Sequence, residues 1–143
     1  MLKETRTYTS YDGEEITQDF YFNLNKAELM ELEIETPGGL SNHIRTVMNT
    51  KNAPETIKLF KKLLLAAYGV KSADGKRFIK NDQVRDEFIQ TPAYSDMFME
   101  LAFDDDKAAN FVRGIIPPDL AAEVSKELDT NKASEGSIMS LIK

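Results

Sequence analysis

His43 is the only imidazole in a chain of 143 residues that contains no cysteine. Nucleophilic catalysis needs a hydroxyl or thiol beside a base, and no serine of this sequence sits in the sharp glycine-flanked turn that exposes such a nucleophile. His43 lies in Ser41-Asn42-His43 on a predicted short helix, and its plainest role is that of a surface or half-buried structural residue. Zinc asks for several Cys or His ligands, and one histidine does not supply them. Asp104-Asp105-Asp106 is the densest acidic run that could attract a hard cation. It lacks the alternating acids, turn glycine and closing glutamate of a calcium loop, whereas acids at a helix start complement the helix dipole. Glu14-Glu15 and Glu31/Glu33/Glu35 offer carboxylate pairs, but acids are abundant here and mere proximity in sequence does not make an acid–base couple. Pro37-Gly38-Gly39-Leu40 precedes a helix without the lysine of a phosphate loop, so its glycines are read as a tight reversal. No catalytic, metal or cofactor site is expected.

The elements that would have to position such residues are mostly helices. Residues 3–10 and 15–22 alternate Thr, Tyr, Phe and Ile around Tyr11-Asp12-Gly13-Glu14, which predicts an N-terminal β-hairpin. A two-residue Asp-Gly turn would set Arg6 opposite Asp19 and Glu4 opposite Tyr21, with Ile16, Phe20 and Phe22 on the face the helices cover. Asn25 and Glu28 form a capping box for the next helix, and Leu24 with Leu29 forms a hydrophobic staple. Leu29, Met30 and Glu33 carry that helix to about Ile34, before Pro37-Gly38-Gly39. A short helix from Leu40 to Met48 follows.

Asn52-Ala53-Pro54-Glu55 opens the most apolar helix, which runs through Ile57, Phe60, Leu63, Leu64 and Ala67 and should be central. Gly69 is expected to stop it in a left-handed cap. Residues 70–79 predict a second, smaller hairpin around Asp74-Gly75. Asn81, Thr91-Pro92 and the Asp104 run each start a further helix, and Pro117-Pro118 opens a last one built on Leu120, Val124 and Leu128. The fold class is α+β and predominantly helical: a hairpin packed on six or seven short helices. Residues 1–129 make one globular domain, and 130–143 read as a flexible tail.

Hydrophobic residues are 41% and charged residues 29%, enough apolar content to build a core. The longest apolar run, Leu63 to Tyr68, is too short to span a bilayer, and Met1-Leu2-Lys3-Glu4-Thr5 lacks the apolar stretch of a secretory signal. A net charge of −6 opposes nucleic-acid binding, since affinity there comes from neutralising phosphates. The basic residues Lys58, Lys61, Lys62, Lys71, Lys76, Arg77 and Lys80 are read as a solvated face. Neither membrane nor nucleic acid is an expected partner. What remains is surface. Ile116 and the cluster Ile138, Met139, Leu141 and Ile142, the latter placed on a tether, form the candidate partner-binding segment.

Several stretches, in order, carry a family resemblance. They are Tyr11-Asp12-Gly13, Asp19 through Leu29, Leu63 through Gly69, Lys71 through Phe78, and Thr91 through Leu101. Phe111 and Gly114-Ile115-Ile116-Pro117 complete the set. Together they resemble the tail assembly chaperones of long-tailed bacteriophages, over about residues 5 to 123. The resemblance implies a non-enzymatic protein that binds the phage tape measure protein, keeps it soluble and helps recruit tail tube protein. It implies action in the host bacterial cytoplasm and absence from the mature virion, with no cofactor. It further implies a longer, frameshifted form of the same chain, and self-association into a homo-oligomer is expected because multivalency suits a long client. The competing reading is a structural tail or connector component of the virion.

Overall fold

The computed structural model describes residues 1–50 and 53–117. Two strands, β1 (Leu2–Thr9) and β2 (Glu15–Phe22), are followed by helices α1 (Lys26–Glu35), α2 (Leu40–Thr50) and α3 (Ala53–Ala67). Strands β3 (Tyr68–Lys71) and β4 (Phe78–Ile79) lead to α4 (Asp82–Ile89), α5 (Pro92–Phe103) and α6 (Asp105–Ile115). The expected α+β, predominantly helical class is the one found. The predicted last helix from Leu120 to Leu128 and the tail at 130–143 lie outside the described residues, as does the Asn52 cap.

Both hairpins exist, and they are halves of one antiparallel sheet of order β1-β2-β3-β4. Tyr21 pairs with Gly69 and Phe22 with Tyr68, so the end of β2 joins the two across three intervening helices. No periodicity along either hairpin carries that information.

The register of the first hairpin differs from the expected one. Thr5 faces Asp19, Arg6 faces Gln18 and Glu4 faces Phe20. The connection is a three-residue loop: the Gly13 N–H donates to the Ser10 carbonyl at 2.9 Å, and Gly13, at φ 85°, makes the bulge that returns the chain. Ser10 Oγ accepts the Asp12 and Glu14 N–H groups and fixes this longer turn. A slip of one residue moves every β1 side chain to the other face. Leu2, Glu4, Arg6 and Tyr8 therefore turn toward the helices, while Lys3, Thr5, Thr7 and Thr9 face outward. Phe20 and Phe22 are buried and Ile16 half-buried, on the side expected for them.

The helix starts follow the expected chemistry. Asn25 Oδ1 accepts the Glu28 N–H at 2.8 Å and Glu28 Oε1 accepts the Asn25 N–H at 3.0 Å, closing the capping box. Asn81, Thr91 and Asp104 cap α4, α5 and α6. Gly38 and Gly39, at φ 80° and 91°, let the chain reverse between α1 and α2. Gly69, however, does not cap α3. It lies extended in β3, and a Cβ there would stand 2.7 Å from the Phe78 ring, so its small size serves the approach of β4.

The core lies between sheet and helices. Leu59, Phe60, Leu63, Leu64 and Ala67 bury one side of α3, which packs on α5, and α5 in turn touches α6 and β1. Phe20, Phe22, Tyr68, Phe88 and Phe111 meet at the centre. Tyr68 stacks on Phe88 with ring centres 4.0 Å apart, and Phe22 meets Phe111 edge-on at 5.4 Å. Aromatic pairs of this kind add about 0.5–1.5 kcal/mol each beyond the area they bury.

Candidate partner-binding surface

The residues singled out for chemistry are dispersed. His43 is half-buried on α2, its backbone N–H bonded to Gly39 O. Asp104 Oδ1 accepts the Lys107 N–H at 3.1 Å, which is a helix cap. Glu33 Oε2 accepts the Leu40 N–H at 3.0 Å across the α1–α2 turn, while Glu14 and Glu15 are exposed at the hairpin tip. Among the described residues no three His, Cys, Asp or Glu side chains are grouped to hold a metal ion. Nor, among them, is any helix long and apolar enough to cross a membrane.

Where titration is perturbed, the causes are local. Burial raises the Tyr68 and Tyr94 phenols. The Ser72 hydroxyl lowers Asp74 in the second turn. On the outer sheet face, Thr5 Oγ1 donates to Asp19 at 2.6 Å and holds that carboxyl below its usual value, desolvation opposes the shift, and the Lys3 ammonium assists it. A carboxyl depressed in the native state adds stability above its unfolded pKa and loses it as pH falls through the native value. Carboxyl-detected NMR titration should find Asp19 below ordinary aspartate in the native protein. In Thr5→Val it should rise; an unmoved midpoint would contradict the role of the hydroxyl.

Two charged contacts escape sequence reading. Arg6, turned inward by the register, meets Glu100 of α5 at 2.6 Å and Glu4 at 3.6 Å, and Lys107 reaches the same Glu100 at 3.3 Å. The other concerns a residue assigned to a solvated face. Lys80 instead tucks its ammonium between the Asn23 carbonyl (2.6 Å), the Ala66 carbonyl (2.9 Å) and Glu28 Oε2 (2.7 Å), with its side chain 12% exposed. No spacing rule announces the Arg6–Glu100 pair or the Lys80 clamp, because those partners are far away in sequence.

Of the expected partner-binding residues, Ile116 is buried in the core. Ile138, Met139, Leu141 and Ile142 lie outside the described residues. The apolar side chains that do stand in solvent are elsewhere. Met30 and Ile34, one turn apart on α1, are 65% and 78% exposed, and Met99 and Phe103, one turn apart on α5, are 51% and 71% exposed. Leu32 is the one buried residue of α1, and Leu29 is half-buried, so Met30 points away from the core it was expected to join.

Helices laid on one face of a small sheet, with paired apolar side chains turned outward and polar groups spent on caps and clamps, define a protein of surfaces. The profile of the phage tail assembly chaperone family matches residues 1–140, nearly the whole chain, and the protein belongs to that family. No curated protein and no solved structure was found to match it.

Proposed function

We propose that this chaperone binds the tape measure protein of its phage, holds that long helical client in solution and helps bring tail tube protein to it. It acts by binding, and no covalent bond is made or broken. The work is done in the host bacterial cytoplasm, and the chaperone leaves before the particle is complete. Self-association and a longer frameshifted form of the chain belong to the same reading.

The observation that carries it is family membership over residues 1–140. The outward apolar pair on α1 is in keeping with it, since an exposed apolar ridge of this kind is what an amphipathic helix docks against. Co-expression with the tape measure protein of the same phage tests it. The client should become soluble and co-purify with the chain, and mass spectrometry of finished particles should find the chaperone missing. A client that stays insoluble beside a folded, soluble chaperone would end the reading. Stoichiometric incorporation into virions would favour a structural tail component instead.

A further inference from the structure

We propose that the outer ridge of α1 is the docking surface for a foreign helix, one with apolar residues at three- and four-residue spacing and Lys or Arg along its flanks. The proposal rests on the binding function above and assigns it a place. Helix α1 has two apolar sides. Leu32 and Leu29 face the core, while Ala27, Met30 and Ile34 form an exposed line on the nearly opposite side, at the 3,4 spacing of a coiled-coil seam. A helix serving only its own fold needs one such side.

The charge beside the ridge selects the partner. Glu31 and Glu35 are exposed along one flank, and their carboxylates make no hydrogen bond or ion pair among the described residues. Glu33 stands on the other flank, bonded through one oxygen to the Leu40 N–H. Glu28, by contrast, is taken up by Lys80 and the Asn25 N–H. A second copy laid antiparallel on the ridge would set the Glu31 and Glu35 flank against itself, like charge on like, which is unfavourable at short range. A basic-flanked helix meets apolar side chains along the middle and opposite charge at the edge. The capping box at Asn25 and Glu28 and the clamp from Lys80 hold α1 in place before a partner arrives, which lowers the ordering cost of docking.

The test compares three variants of the full chain, each co-expressed with the phage's tape measure protein. Met30→Glu/Ile34→Glu should reduce recovery of the client about tenfold or more, at unchanged melting temperature and unchanged sedimentation. Glu31→Lys/Glu35→Lys should also reduce recovery, and Met99→Glu/Phe103→Glu should keep it. Full recovery with the α1 ridge variant would overturn the proposal while leaving the binding function standing. So would loss confined to the α5 variant. A melting temperature lowered by the ridge substitutions would mean that the chain covers its own ridge, and a dimer dissolved by them would mean that a second copy does; either result overturns the assignment. If the unaltered chain recovers no client, the function proposed above falls, and this docking site with it.

Discussion

Replacing Phe22 by alanine should cost about 4 kcal/mol, the middle of the range for removing a fully enclosed aromatic side chain. Phe22 is inaccessible to solvent, and its ring meets Tyr68 at 5.7 Å, Phe88 at 5.9 Å and Phe111 at 5.4 Å between centres. Those three rings come from β3, α4 and α6, so the cavity opens where sheet and helices join. Collapse of the surroundings is limited, because Tyr68 and Phe88 are already stacked on each other and cannot both move inward. Small domains have stabilities of roughly 5–15 kcal/mol. The loss is therefore a large share of the total and should lower the melting temperature on the order of 15 °C. Thermal unfolding by circular dichroism checks it. A change no larger than that of a surface substitution would show that the aromatic cluster is not the centre of the fold.

Lys80→Met should cost about 2–4 kcal/mol, although it exchanges a lysine for an apolar side chain of similar length. Burying an ammonium is unfavourable unless every donor finds an acceptor, and here three acceptors converge on it. Methionine keeps the packing of the stem but leaves the Asn23 and Ala66 carbonyls without their donor and Glu28 without its cation. Each unsatisfied buried group costs about 1–3 kcal/mol. Glu28→Gln should be milder, since an amide oxygen can still accept the Asn25 N–H and both carbonyls keep Lys80. Denaturant unfolding of the two variants gives the comparison. Equal losses would mean that the ion pair alone matters and the carbonyl contacts contribute nothing.

These two residues show what sequence reading could and could not find. Phe22 stands in a strand whose alternation places it inward, and Asn25, Asn81, Thr91 and Asp104 announce their helices because a cap is a local contact within a few residues. The Asp-Gly signal located the first hairpin correctly but misjudged its loop. Ser10, by accepting two backbone N–H groups, favours three loop residues over two, and the register of β1 changes with it. Lys80 looked like one more member of a basic surface. Its acceptors are Asn23, Glu28 and Ala66, and nothing in residues 71–80 points to them.

The exposed side of α1 is harder to read from sequence than the caps, for the same reason. Ile116 stands out in sequence because an apolar residue beside prolines looks conspicuous, yet it is buried, while the 138–142 cluster lies outside the described residues. Met30 and Ile34 do not stand out, since they sit in a helix with Leu29 and Leu32 and pass for core. Only knowing which side of α1 faces α2 separates the two sets. A helix apolar on two sides yields no clear period, and that ambiguity was itself the available signal.

The bond from the Leu24 N–H to the Ile115 carbonyl, at 2.6 Å, has a consequence for synthesis. It ties the exit of β2 to the end of α6, and the neighbouring Phe22 ring waits for Phe111 in the same way. On the ribosome, the first hairpin thus emerges about ninety residues ahead of the segment that completes its packing, an interval of several seconds at ordinary elongation rates. Until then its greasy side has only provisional company. Folding of this chain should accordingly finish late and nearly all at once, with the amino-terminal ribbon last to gain protection from exchange even though it is first to be made.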